Sequence, residues 1–207
     1  AARSHLQSIE GDDPSAAAAA QLAELHAQVG ELSEAAAAAE RAVERTPDDP
    51  GYRRRYFEVL LRGEDWSGLL GASGARLASV AGGQVHLYYG GLAALRLGNR
   101  DQGIELLGAL AGHADTDPVA LAAATALLFQ TDAWVQSEAS ARALLIRRPD
   151  ESGVHHLLAL SLSRLHRESE ALAHYRRAAD GAGKVPDLHF DLLVSLCTLD
   201  RLDEAAG

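Results

Sequence analysis

Between Leu32 and Arg45 the apolar residues fall at helical spacing. Ala35, Ala39 and Ala42 stand at i, i+4 and i+7, on one face. Alanine loses no rotamer freedom in a helix, so "AAAAAERAVER" is helical on propensity alone. The spacing predicts that Ala35, Ala39 and Ala42 are packed. Ala36, Ala37 and Ala38 fall mostly elsewhere and read as filler of high helix propensity. The run stops at Thr46-Pro47-Asp48-Asp49-Pro50, because proline cannot continue a helix. A similar stop, Arg148-Pro149-Asp150-Glu151, lies 102 residues further on, which is three times 34.

That interval holds along the chain. Cut every 34 residues from Ala16, the segments are 16–49, 50–83, 84–117, 118–151, 152–185 and a partial 186–207, with no gap needed. The eighth place holds Ala23, Phe57, Gly91, Thr125, Ala159 and Leu193. The twentieth holds Ala35, Leu69, Gly103, Ser137, Ala171 and Ala205, and the seventeenth Leu32, Trp66, Arg100, Trp134, Glu168 and Leu202.

These residues resemble the tetratricopeptide repeat, a 34-residue helix–turn–helix unit. Its marks are small residues at places 8, 20 and 27, a large one near 17 and proline at 32. Leu22, Ala23, Gly30, Leu32, Ala35, Ala42 and Pro47 fit it in the first segment, and Leu158, Ala159, Ala171, Tyr175 and Ala178 in the fifth. The resemblance implies an all-α, right-handed superhelical solenoid of antiparallel helix pairs, about six repeats long. Each pair buries its apolar face against its neighbours. Residues 1–15 read as the second helix of a preceding partial repeat, and the whole as a piece of a longer protein. An uncapped last repeat would need cover from more chain, another domain or a second copy. The pattern is departed from at Arg76 (place 27) and Arg100 (place 17), and twelve glycines crowd residues 63–112.

In this family the first helix of each pair lines a concave groove. Carried over place by place, the groove residues are Arg54, Glu58, Arg62, Tyr88, Leu92, Arg96, Phe129, Gln130, His156 and Arg164. Arginine and tyrosine are favoured at interaction hot spots, since they combine contact area with directed hydrogen bonds. Relatives that grip a peptide backbone often carry asparagine at place 9. Here that place holds Glu24, Glu58, Leu92, Ala126, Leu160 and Val194. The resemblance therefore implies a protein or peptide partner, acidic or amphipathic in character, rather than a chaperone tail. The function expected is a non-catalytic interaction scaffold. Two alternatives are the repeat region of a larger glycosyltransferase, sulfotransferase or hydroxylase that positions protein substrates, and a self-association module.

Composition narrows the chemistry. The net charge is −10, and residues 1–49 carry 10 acidic against 3 basic residues. That argues against nucleic acid, which calls for a basic face. No apolar run is long enough to read as a membrane span. Cys197 is the lone cysteine, so no internal disulfide forms, which suits the cytosol. Nine histidines invite a metal, yet no H-x-x-x-H spacing occurs, and surface or half-buried roles are expected; no cofactor is implied. His155 and His189 share a place in consecutive segments and are candidates for proximity. "DGAGKVP" lacks the first glycine and the Ser/Thr of a phosphate loop, having Ala178 and Val185 there. Asp12-Asp13 and Asp48-Asp49 read as helix caps.

Overall fold

The computed structural model describes residues 15–74, 83–182, 191, 192 and 194–196. Among them the regular structure is helical, with no strand. The helices are α1 (Ala16–Val29), α2 (Leu32–Arg45), α3 (Pro50–Arg62), α4 (Trp66–Gly74), α5 (Gly83–Arg96), α6 (Arg100–Ala109), α7 (Pro118–Gln130), α8 (Trp134–Arg147), α9 (Ser152–Arg164) and α10 (Glu168–Ala182), with a 3₁₀ turn at Leu110–Gly112. The chain divides into two compact units, Ala1–Asn99 and Arg100–Gly207. The division falls inside the glycine-rich stretch. Residues 1–14 of the helix expected over 1–15, including the Asp12-Asp13 cap, and Arg76, His189, Cys197 and most of 186–207, lie outside the described residues.

Local chemistry starts and stops the helices where the sequence signals stand. Ser15 caps α1, its Oγ accepting from the Ala18 N–H at 3.1 Å. Asp49 caps α3, with Oδ1 accepting from Gly51 N at 2.7 Å. Asp117 does the same for α7 through Val119 N. Pro50 and Pro118 follow in the first turn, where the missing N–H costs nothing. The two proline stops share a backbone: Thr46 has φ −137° and ψ 73°, and Arg148 has φ −135° and ψ 73°. Proline disfavours the α region for the residue before it.

One turn recurs five times among the described residues. Place 15 is left-handed in each segment: Gly30 (φ 88°), Glu64 (52°), Gly98 (82°), Asp132 (57°) and His166 (58°). In every case the next residue's N–H reaches back five residues, as in Glu31 to His26 O, Asp65 to Leu60 O, Asn99 to Ala94 O, Ala133 to Leu128 O and Arg167 to Leu162 O. This Schellman-type closure satisfies carbonyls left over at the end of the first helix.

The periodic small places are core. Ala23, Thr125 and Ala159 at place 8, and Ala35, Ser137 and Ala171 at place 20, are each fully buried. Phe57 and Leu69 hold those places in the second segment. They occupy one cluster with Leu60 and Ala93, so two large residues fill there what small ones leave to close backbone approach elsewhere. The expectation for Ala38 is corrected: it is as buried as Ala35. α2 lies between α1 and α3. Ala38 and Ala39 pack on Leu22 and Ala23, while Ala35 meets Ala27 and Val59. A helix covered on two sides buries a wider arc than one stripe. Ala36 is partly buried for the same reason, and Ala37 is exposed.

In the second unit a buried hydroxyl network links three helices. The Ser137 hydroxyl donates to the Thr125 carbonyl at 3.1 Å, and Ser161 Oγ lies 3.1 Å from Ser137 Oγ. No helix among the described residues is long and apolar enough to cross a membrane.

Candidate functional site

The expected groove residues are distributed over α3 and α5 in the first unit and α7 and α9 in the second. In the first unit, Arg54 and Glu58 are exposed on α3, while Tyr88 and Leu92 are half-buried on α5. Tyr88 stands edge-on to Tyr89, centroids 5.3 Å apart, and Tyr89 leans on Phe57 at 5.3 Å. Burial raises the phenol pKa of both tyrosines. For Tyr89, Glu58 and Tyr88 raise it further and Arg54 lowers it. Arg54, Glu58, Tyr88 and Tyr89 therefore form one electrostatically coupled patch.

The arginines at place 13 also bind within the chain. Arg62 donates to the Ala27 carbonyl at the end of α1, 3.1 Å away. The Arg96 guanidinium lies over the Trp66 ring, 5.5 Å from its centroid. In the second unit Arg164 lies over Trp134 at 5.8 Å. Both tryptophans hold place 17, and each arginine comes from the first helix of the next segment, 30 residues on. Arg100, the departure at place 17, donates to the Thr131 carbonyl at the end of α7. All three place-13 arginines stay exposed at the side-chain level while bound to their own chain.

On α7, Phe129 is half-buried and Gln130 exposed. On α9, His156 Nε2 lies 2.7 Å from Asp191 Oδ2, with its ring 6.2 Å from Tyr175. Burial, reinforced by Asp191 and Glu168, pushes the Tyr175 phenol up to about 12. His155 points away from its neighbour: its Nδ1 lies 2.9 Å from His174 Nδ1, and its Nε2 donates to the Pro149 carbonyl at 2.8 Å. Sequence reasoning missed His174. Its spacing of 19 from His155 is no helical period, and only the antiparallel packing of α9 on α10 joins them. Among the described residues no group of three or more His, Cys, Asp or Glu side chains is placed to hold a metal ion.

Paired helices in a 34-residue register, closed by one repeated turn, define an all-α repeat protein. Residues 16–59 match the family described as "Tetratricopeptide repeat". No curated protein sequence matches the chain. Among solved structures, the chain is similar over 97% of its length to all of "YrrB: a TPR protein with an unusual peptide-binding site", at 16% identity and a TM-score of 0.59. It is similar over 99% of its length to 80% of a tetratricopeptide repeat protein from Parabacteroides merdae, at 14% identity and a TM-score of 0.55. MamA from Desulfovibrio magneticus matches 92% of it, over 89% of that chain, at 13% identity and a TM-score of 0.52. The resemblance read from the period holds, and the fold is the tetratricopeptide-repeat solenoid.

Proposed function

We propose that this chain is a non-catalytic protein-interaction module, built as five 34-residue pairs with a sixth begun at residue 186, that presents its first helices to a peptide or helical partner. The observation that carries this reading is α7. Its 13 residues, PVALAAATALLFQ, include no charged side chain, yet Val119 is 64% exposed. A first helix meant only for water would carry a charged face. An uncharged face suits the apolar stripe of an amphipathic segment. Within the first unit by itself, the Arg54, Glu58, Tyr88 and Tyr89 patch offers the aromatic and charged anchors typical of interaction hot spots.

The test uses a captured partner, purified and titrated back. Substituting Arg54 and Tyr88 together should weaken binding about tenfold or more, with helicity unchanged. In parallel, Val119→Asp should weaken it by placing charge on the apolar face. A partner that binds both variants as tightly as the parent would remove the first-helix face from consideration.

A further inference from the structure

A cleft is lined by residues of α8, α9 and α10 and the turn before α9. Arg142, Leu145 and Ile146 of α8, Pro149, His155 and Leu158, and His174 and Arg177 of α10 enclose about 320 Å³. Ile146 is 85% exposed at its edge, the largest exposure recorded for a big apolar side chain in the described residues.

The hydrogen bonds fix what the histidines offer. A carbonyl only accepts, so His155 Nε2 must carry the proton shared with Pro149 O. In the neutral ring Nδ1 is then bare, and it accepts from His174 Nδ1–H. His174 Nε2 is left as an acceptor at the cleft. His155 is 3% exposed, so this relay is anchored in the core. Burial, then the neighbouring His155, Arg142 and Arg177, hold the His174 ring neutral, with its pKa lowered to about 4.

The two arginines differ. Arg142 is divided between Glu138 at 2.8 Å and Glu170 at 3.3 Å. Arg177, exposed, makes no ion pair among the described residues. The cleft thus combines an available guanidinium, a fixed acceptor and an aliphatic wall.

We propose that this cleft docks an internal segment of a partner protein that carries an Asp or Glu side chain beside an aliphatic one. The carboxylate pairs with Arg177, the aliphatic group covers Ile146 and Leu145, and a backbone N–H of the segment donates to His174 Nε2. An arginine–carboxylate pair supplies direction, and the covered isoleucine supplies buried apolar area. This site is independent of the first-helix face.

The probe is a peptide blocked at both ends, acetyl-Ala-Leu-Asp-Leu-Ala-amide, titrated into the ¹⁵N-labelled chain. Shifts should concentrate at Ile146, His174 and Arg177. Replacing the peptide's Asp by Asn, or Arg177→Ala, should each weaken binding about tenfold. His174→Gln keeps an acceptor and should retain more affinity than His174→Phe, with circular dichroism checking the fold of each. Equal binding of the Asn peptide, indifference to Arg177→Ala, or binding only of peptides with a free terminal carboxylate would each overturn the assignment.

Discussion

The guanidinium of Arg96 rests over the indole of Trp66, 5.5 Å from the ring centroid, across a sequence separation of 30 residues. Arg164 and Trp134 repeat the pairing 68 residues later, at 5.8 Å. In these two pairs place 13 of one segment covers place 17 of the segment before it. Arg96→Ala or Arg164→Ala should destabilise its unit by about 0.5–1 kcal/mol, the range for a partly exposed cation–π contact. A double-mutant cycle with Trp66→Leu should recover most of that as coupling energy. Zero coupling would mean that the arginine contributes only its aliphatic stem.

The left-handed residue at place 15 gives a stability prediction of both signs. Glu64 and His166 adopt φ of 52° and 58° with a Cβ in place. Glu64→Gly and His166→Gly should each stabilise by roughly 0.5–1 kcal/mol, partly offset by the entropy glycine adds to the unfolded chain. Asp132→Gly should give less, since aspartate tolerates this conformation better. Gly30→Ala should lose about 1 kcal/mol, although nothing lies within 4 Å of the added Cβ, because the penalty comes from φ alone. Urea denaturation of the four variants tests the series, and a stabilised Gly30→Ala would refute it.

Arg53 is buried at 3% exposure, and its Nε has no hydrogen-bond partner among the described residues. Its guanidinium does donate to the Pro47 carbonyl. The same place holds Ala19, Leu87 and Leu121 in neighbouring segments, all buried. Arg53→Leu should therefore raise stability by about 1 kcal/mol, as a buried, incompletely bonded cation gives way to an apolar side chain. Thermal unfolding checks this; a lower midpoint would show that the Pro47 bond outweighs the orphaned nitrogen.

The His155–His174 pair predicts an acid-side loss of stability. The folded chain holds His174 at about 4, below the ordinary 6.5, through burial first, then His155, Arg142 and Arg177, with Glu170 opposing. Between those values the unfolded chain binds more protons, so this contribution is whole above pH 6.5 and declines as pH falls toward 4. Solvent reaching the half-buried ring moderates the slope. His174→Phe should flatten the pH dependence of unfolding free energy over that window. An unchanged slope would place the acid sensitivity elsewhere.

Much of the architecture could be read from residue types. The prolines at 47 and 149 marked stops whose backbones prove the same within a few degrees. The places reserved for small residues are core wherever the structure describes them, including Thr125 and Ser137, whose hydroxyls are absorbed by main-chain carbonyls. Groove residues were harder. Arg62, Arg96 and Arg164 share one place in the family register. Family register gives a helix face but not the nearest acceptor or ring, and these arginines found theirs on the preceding segment.

By itself the sequence determined the interval, the helical character of each segment, the cap at Asp49, and the places that must be small. All of these follow from local backbone preference and a one-dimensional period. Only the tertiary structure decided that Ala38 is core, that His155 meets His174, and that arginines at place 13 stack on tryptophans at place 17. Those outcomes depend on which helix lies across from which. Side-chain reach across a packed interface is set by the angle and offset of two helices, quantities that no spacing within one helix contains.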